Sequence, residues 1–555
     1  MKKYTILFLL LVMLLAGVMR FYKLGSVPPS PNWDEVALGY NAYSLLHTGR
    51  DEYGQLLPIV LRSYDDYKPA LYAYLVVPFV AVFGLNTISV RLPSAVLGMI
   101  TVLAVYFLVR ELLNRKEVEI HKRIISAETI ALLSAFLLAI SPWHIQFSRI
   151  GFESNVGLAL NVLGALFFLK GVRRPLFLTI AAFFFTMSLY VYQSEKVFVP
   201  LLVLTFLILF YKSLLQIPKK YLFLAAATGL TLITPLIIYS VTNQEAFARA
   251  RGVSVFSDKT QFLKQNVAKV IRDKERNDFI GVVLDNRRFL YARAIVSGYL
   301  SHYDLNWLFI TGDLARHHAP QMGLLYWWEL PFLFIGIYIV FFSKLERRTK
   351  LILFLWFFLA PVPASITSGV PHAVRTLNFL PMFQIFVAFG LVETFYYIKT
   401  RNSLVMKAFS YLYICFIVFN VSYFLNQYFV QQNYFNSLDW QYGYKEAISY
   451  VKEHQGEYEK IVVDNKPHLD QSYMFFLFYL QYPPREYQEV GKSASGGFKE
   501  NHAFGKFSFR PIDWSKEERS SRVLYFGKPS DFPKDATLLK QVTFLNGEPA
   551  IKIVR

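Results

Sequence analysis

The sequence predicts an all-α polytopic membrane protein with a small α/β domain at its C-terminal end. Of its 555 residues, 54% are hydrophobic, and Phe and Tyr are unusually frequent. Apolar runs recur along the chain with about the length that a helix needs to cross a bilayer. From about residue 430 onward, short strand-like and helical patterns replace these runs. The fold class follows from these three observations.

Eleven apolar runs are candidate transmembrane helices. We interpret the first, which follows Lys2 and Lys3, as a retained helix because it lacks a good small-x-small cleavage motif and many further spans follow. The candidate spans are 4–21, 93–113, 127–146, 153–171, 175–193, 197–213, 221–241, 323–343, 350–368, 377–397 and 403–428.

One further apolar run, 70–83, is too short for an ordinary span and contains Pro78. If it does not cross the membrane, the short cytoplasmic segments contain 20 Lys or Arg residues. The short loops on the opposite face then contain only Arg149, Lys196 and Arg375. A crossing at 70–83 would invert every later helix and destroy this positive-inside bias. We therefore expect a lateral juxtamembrane helix, a cytoplasmic N-terminus and an extracytoplasmic C-terminal domain.

This topology in the plasma membrane divides the chain into two domains. Residues 1–429 form the transmembrane domain, with two large extracytoplasmic loops at 22–92 and 242–322. Residues 430–555 form the α/β domain, in which an amphipathic helix at 444–453 precedes three strand-like segments. Those segments are 460–464, 522–526 and 550–554.

Charge and cysteine content exclude several kinds of site. The net charge is +19, but no basic stripe interleaves with aromatic residues in a soluble segment, so no nucleic-acid partner is predicted. The only cysteine, Cys415, lies in an apolar run, which excludes intrachain disulfides and cysteine-based metal sites. The sequence itself requires no cofactor.

Acidic and basic residues gather on the predicted outer face. Asp34 and Glu35 follow the first span, and an isolated pair of this kind would be a solvated helix cap. Basic residues are disfavoured in short outward loops, however, and Arg149 and Arg375 lie in such loops. Each could snorkel to the interface, or together they could bind a lipid-borne phosphate. A carboxylate beside a phosphate site suits glycosyl transfer, since one Asp can deprotonate the acceptor while cations neutralise the leaving phosphate.

Several motifs occur in a consistent order and topology. They are Arg20-Phe21, Asp34-Glu35, Tyr67-Lys68-Pro69, Gly84-Leu-Asn86 with Val90-Arg91, Phe147-Ser-Arg149 with Glu153, Gly312-Asp-Leu-Ala-Arg-His-His318-Ala-Pro320 and Pro371-His-Ala-Val-Arg375. With them, the first 400 or so residues resemble a lipid-linked-sugar glycosyltransferase of the GT-C fold. The resemblance is to the group of dolichyl-phosphate-mannose protein mannosyltransferases and lipid A aminoarabinose transferases.

The resemblance implies roles for individual residues. Asp34 matches the catalytic acidic residue, Lys68 and Arg149 match donor-phosphate contacts, and Glu153 matches a second acidic residue. The chain departs from the aminoarabinose branch at Ala37, where that branch has Arg, and at Tyr67, where an acidic residue precedes the Lys. These departures leave the donor sugar open. His317 and His318 fall near a metal-binding His of that branch, and either a divalent metal or loop packing would account for them.

We therefore expect an inverting membrane glycosyltransferase that uses a polyprenyl-phosphate sugar and an extracytoplasmic acceptor, either a protein or an envelope glycan or lipid. The expected catalytic residues are Asp34 and Glu35, with Asp34 as general base and Glu35 in a supporting role, either capping the helix that begins at Val36 or pairing with a nearby cation. Lys68, Arg149 and Arg375 are expected at the phosphate, and Asp65, Asp66, Glu153, His317 and His318 in support. One alternative is a transporter or flippase of lipid-linked sugars, which would need charges in mid-span. Another is an O-antigen-type polymerase or ligase, with its key Arg and His in one late loop.

Overall fold

The computed structural model describes residues 2–64, 66–114, 117–120, 123–243, 248–257, 261–401, 403–491 and 501–555. Its first part begins with one long helix and ends with a short one. Between them lie a capped helix and a β-hairpin in which Leu61 is paired with Lys68. In chain order these elements are α1 (Lys2–Phe21), α2 (Trp33–Thr48), β1 (Val60–Ser63), β2 (Asp66–Pro69) and α3 (Leu71–Phe83).

The central part is a bundle of apolar helices interrupted by one small hairpin. α5 and α6 meet at Ser141 with a bend of 61°. The elements are α4 (Thr87–Leu112), β3 (Glu117–Ile120), β4 (Arg123–Ser126), α5 (Ala127–Ile140), α6 (Pro142–Ser148), α7 (Glu153–Arg173), α8 (Phe177–Ser188), α9 (Glu195–Leu214) and α10 (Lys219–Thr242).

A helical loop region then precedes the last membrane helices. The loop helices are α11 (Ala248–Val253), α12 (Gln261–Glu275), α13 (Phe279–Leu284) and α14 (Arg287–Ser301). The helices that follow are α15 (Glu329–Phe342), α16 (Arg347–Leu359), α17 (Val362–Ser365), α18 (Met382–Arg401), α19 (Leu404–Asn426) and α20 (Gln432–Phe435).

Helix length and composition confirm a multi-pass membrane protein. In the described part of the chain, eight helical segments are long and apolar enough to cross a membrane, or nine if the bent α5–α6 pair is one span. Each of the eleven predicted spans coincides with a helix, but α8 and α15 are shorter than a usual span. The count of eleven therefore stays a prediction, as does the lateral position of the 13-residue α3.

The C-terminal part is the predicted small α/β unit, built on one six-stranded sheet. The predicted helix and three strands correspond to α21, β5, β8 and β10, and β5 runs parallel to both of its neighbours. The strand order is β6-β7-β5-β8-β10-β9. The elements are α21 (Tyr444–His454), β5 (Lys460–Val463), α22 (Ser472–Leu480), α23 (Pro484–Glu486), β6 (His502–Phe504), β7 (Phe507–Phe509), β8 (Val523–Gly527), β9 (Leu538–Thr543) and β10 (Pro549–Val554).

The α/β unit packs directly on α2. The Trp33 N–H donates to Oε1 of Gln441 at 3.2 Å, and the Tyr40 hydroxyl donates to the carbonyl of Tyr482 at 3.1 Å. Gly39 allows the close approach, since a Cβ there would lie 2.6 Å from a ring carbon of Phe478. The C-terminal part therefore holds the helix that carries the acidic pair.

Candidate active site

A cavity of about 230 Å³ lies where the start of α2, the end of β2, the start of α7 and three later loops converge. Carboxylate, ammonium, guanidinium and imidazole groups share its lining with aromatic and aliphatic side chains. The lining residues are Trp33, Asp34, Lys68, Pro69, Phe152, Glu153, Tyr192, Gln193, Leu314, Arg316, His317, His372 and Val374.

The N-terminal cap of α2 fixes the position of Asp34. The side chain of Asn32 accepts hydrogen bonds from the N–H groups of Asp34 and Glu35, and the Glu35 carboxylate accepts one from the Asn32 N–H. This capping box satisfies N–H groups that the first helical turn would otherwise leave unpaired. The Asp34 side chain projects into the cavity, where it forms an ion pair with Lys68.

Lys68 is held between two carboxylates. It lies in β2, and its ammonium group pairs with Asp34 while Glu153 lies nearby at the start of α7. Burial lowers the pKa of Lys68, but the charges of Asp34 and Glu153 outweigh that effect and hold the pKa above its usual value. The structure thus brings Asp34, Lys68 and Glu153 together at the cavity, and the roles expected for them stay predictions.

Glu35 points away from the cavity, although it adjoins Asp34. Its side chain is fully buried and accepts from Arg91 at 2.8 and 3.2 Å and from the Gly151 N–H at 2.9 Å. Successive helical residues diverge by about 100°, so the two acids face different surroundings. The catalytic pair predicted from the sequence is therefore divided into one cavity residue and one residue of the helix-packing core.

Arg149 is also a core residue. Its guanidinium is fully buried and donates to the carbonyls of Met19, Arg20, Tyr22 and Val27 at 2.8–3.1 Å. It therefore binds the chain at the end of α1 rather than the cavity, and the expectation that it lies at a phosphate site needs correction. The reason is local, because the chain after α1 turns its carbonyl groups toward this guanidinium, which satisfies them.

Arg316 was missed by the sequence analysis. Its guanidinium carbon lies 3.8 Å from the ring centroid of Trp33, and both residues line the cavity. Within the described residues, one of its buried amino nitrogens has no hydrogen-bond partner. A stacked, fixed guanidinium with a spare donor is well suited to an anionic ligand. In the sequence, only the position of Arg316 in the Gly312-to-Pro320 motif could have indicated a role for it. That motif was interpreted through the adjacent His317 and His318 instead.

Three side chains in the cavity region form a candidate metal centre. Asp313, His317 and His372 each offer a ligand atom, and these atoms lie within 4.8 Å of one another. Nδ1 of His317 is 2.9 Å from Oδ2 of Asp313, which also accepts from the Ala373 N–H. Burial lowers the pKa of His317. Burial opposes ionisation of Asp313, but His317, His372 and the Ala373 N–H outweigh it and lower the pKa of Asp313 to about 2.

His318 and Arg375, which were also predicted site residues, do not line the cavity. His318 donates to the carbonyl of Ala319 and does not belong to the metal-type group. Arg375 donates to Thr367 Oγ1 at 2.6 Å and to the Ser368 carbonyl at 2.7 Å, although its neighbour Val374 lines the cavity. Asp65 lies outside the described residues. Asp66 is in β2, and the structure does not describe its side chain.

The chain is similar to known glycosyltransferases in a central segment and in fold. Residues 67–239 match the family described as dolichyl-phosphate-mannose-protein mannosyltransferase. ArnT from Cupriavidus metallidurans, solved with undecaprenyl phosphate, has a TM-score of 0.53 and 11% identity, over 100% of this chain and 98% of that chain. The apo oligosaccharyltransferase of Archaeoglobus fulgidus has a TM-score of 0.50 and 13% identity, over 86% of this chain and 64% of that chain. No curated protein matches the sequence.

At such low identities the two solved structures establish the fold alone. The chain spans only 64% of the archaeal protein's length. Together with the match over residues 67–239, they confirm the resemblance to the GT-C fold that the motifs predicted.

Proposed function

We propose that this chain, which shares the fold of lipid-linked-sugar transferases and has a mannosyltransferase-like segment at residues 67–239, is an inverting membrane glycosyltransferase. Its donor would be a sugar on a polyprenyl phosphate, and its acceptor a nucleophile outside the cytoplasm. The observation that carries the proposal is one cavity that combines the Asp34 carboxylate with the cationic groups of Lys68 and Arg316. The match of ArnT, a protein solved with undecaprenyl phosphate, supports a donor of this class.

The reaction needs two things from the cavity. The bond between the anomeric carbon and the phosphate oxygen breaks, and the phosphate leaves with the electron pair, so positive groups must stabilise it. The acceptor oxygen attacks the opposite face of the anomeric carbon and gives its proton to a base. Lys68 and Arg316 supply the first function, and Asp34 supplies the second.

The ion pair between Lys68 and Asp34 sets the order in which phosphate binding and proton transfer occur. A phosphate that enters the cavity competes with Asp34 for Lys68, because ammonium binds either anion. As the phosphate draws Lys68 away, this ion pair opens and the Asp34 carboxylate accepts the proton of the acceptor.

Asp313, His317 and His372 would hold a divalent cation if one takes part. Two imidazole nitrogens and one carboxylate suit zinc, and three protein ligands leave a position open for a substrate oxygen. Such an ion would supply further positive charge beside the leaving phosphate. We expect about one equivalent of metal in the purified protein by mass spectrometry of the elements, and its loss in His372→Ala. His318→Ala is the matched control, and equal metal content in both variants would contradict the assignment.

Purified protein in nanodiscs, supplied with polyprenyl-phosphate sugars and candidate acceptors, tests the function itself. We expect release of polyprenyl phosphate together with a glycoside whose anomeric configuration, measured by NMR, is opposite to that of the donor. Retained configuration would contradict the proposed chemistry. Movement of the intact donor between leaflets without its cleavage would instead support the flippase alternative.

A further inference from the structure

Helices α12, α13 and α14 form one unit beside the cavity, which we call the α12–α14 surface. The side chain of Asn266 in α12 donates to the carbonyl of Asp285, and Lys269 lies 3.7 Å from the Asp285 carboxylate. Asp278 caps α13 by accepting from the Gly281 N–H. These contacts join the three helices through the turns that connect them.

The α12–α14 surface exposes apolar side chains in regular stripes. On α14, Phe289, Val296 and Leu300 are exposed, and their spacing of seven and eleven residues places them on one helical face. Tyr291 and Gly298 are buried on the opposite face. Exposed apolar residues also occur on the other two helices: Val267, Ile271, Phe279, Ile280, Val283 and Leu284.

Basic residues lie among and beside these apolar stripes. Lys264, Lys269 and Arg272 are exposed on α12, and Arg288 and Arg293 are exposed on α14. Helices of 15 residues or fewer with this charge cannot cross a bilayer. A short helix with an apolar face and Lys or Arg beside it is typical of segments that lie in the membrane interface.

The C-terminal end of α14 packs against α16, which belongs to a candidate membrane span. The Tyr299 hydroxyl donates to the carbonyl of Phe358 at 2.9 Å, and that of Tyr303 donates to the carbonyl of Phe357 at 3.3 Å. Both acceptors lie in the last turn of α16, inside the candidate span Arg347–Ser365. On the buried face of α14, Gly298 lies against the end of that span, since a Cβ at Gly298 would be 3.2 Å from the carbonyl oxygen of Ser365. The contact with Ser365 places α14 beside the boundary between lipid and water.

The same end of α14 contacts the cavity wall. The His372 N–H donates to Nε2 of His302, the residue after α14, and His372 lines the cavity. The α12–α14 surface and the cavity therefore share one side of the bundle.

We propose that the α12–α14 surface lies on the bilayer leaflet nearest the cavity, with its apolar stripes among the acyl chains and its Lys and Arg side chains against anionic lipid headgroups. Charge complementarity favours anionic lipid as the binding partner of this surface. Its acyl chains supply the apolar layer for the exposed apolar side chains, and its headgroups supply the negative charge for the Lys and Arg side chains. The inference concerns lipid binding and does not depend on the proposed reaction.

Spin labels can test this placement in the full-length protein. Cys415 is replaced by Ser, and single cysteines are placed at Phe289 or Val296 on the stripe, or at the exposed Ser515 of the C-terminal unit as control. In nanodiscs, we expect labels at the two stripe positions to collide readily with oxygen and poorly with a water-soluble nickel complex. The label at Ser515 should show the reverse. Nickel access at the stripe equal to that at Ser515 would overturn the proposal, and exclusion of both reagents would assign the surface to a protein partner.

Lipid composition provides a second, independent measurement. Adding phosphatidylglycerol to zwitterionic nanodiscs should raise the oxygen-to-nickel ratio at Val296, and Arg288→Gln with Arg293→Gln should abolish that rise. A ratio that is unaffected by phosphatidylglycerol in the parent protein would overturn the role assigned to the basic side chains.

Discussion

Two adjacent carboxylates with different surroundings define the chemistry at the residue scale. Asp34 meets Lys68 in the cavity, while Glu35 is buried against Arg91. A buried pair of this kind costs desolvation energy, but removing one partner costs more because the other charge stays buried. Glu35 therefore helps to hold α2 in place, while Asp34 is the acid that α2 places in the cavity.

The role of Glu35 can be tested through its partner. Arg91→Ala leaves the Glu35 carboxylate buried without its cation, and we expect a loss of about 3–5 kcal/mol in the free energy of unfolding. The control, Arg522→Ala, breaks the ion pair with Glu459, in which the two side chains are 70% and 68% exposed. It should lower the free energy of unfolding by less than about 1 kcal/mol. Thermal unfolding in detergent measures both variants. A similar small effect in each would show that the Arg91 pair does not stabilise the fold.

Arg316 is the cavity residue whose geometry best suits the proposed phosphate binding. Arg316→Ala removes a charged donor that is already fixed on Trp33, and we expect polyprenyl phosphate to bind roughly 10- to 100-fold more weakly. Arg519, whose guanidinium lies over Trp514 in the C-terminal unit, provides the matched control. Equal affinity in Arg316→Ala and Arg519→Ala, measured by native mass spectrometry, would remove Arg316 from the site.

At the scale of the elements, long apolar runs were sufficient to predict the helices, because about 20 apolar residues have few other stable arrangements. The buried α22, by contrast, was not predicted, since a nine-residue apolar run has no diagnostic period. Side-chain direction was beyond the sequence as well. Lys68 and Arg149 look alike as basic residues in outward segments, yet one enters the cavity and the other binds four carbonyls. The closeness of Asp313 and His372, which are distant in the sequence, is visible only in the folded chain.

Orientation in the membrane is a prediction that belongs to this scale. Because 20 of the 23 short-segment basic residues fall on one side, we expect that side to be cytoplasmic. Alkaline phosphatase fused after residue 440 should be active, and a fusion after residue 345 should be inactive. The reverse pattern would put the cavity in the cytoplasm and contradict an extracytoplasmic acceptor.

In the whole molecule, the C-terminal unit and the membrane bundle meet at the helix that carries Asp34. Contacts from Gln441, Phe478 and Tyr482 hold one side of α2, and the Arg91–Glu35 pair holds the other. Asp34, the proposed general base, thus lies on a helix held between two parts of the chain, and the cavity cations come from segments far apart in sequence. Precise placement of reacting groups is worth several orders of magnitude in rate.

The most direct measurement compares donor turnover and donor binding in Asp34→Asn. Asparagine keeps the size of the side chain but cannot accept the acceptor's proton, so we expect turnover to fall about 100-fold or more while donor binding persists. Asp513→Asn, at an exposed carboxylate of the C-terminal unit, is the control and should turn over like the parent. Parental turnover in Asp34→Asn would contradict the central claim that Asp34 is the general base of a glycosyl transfer in this cavity.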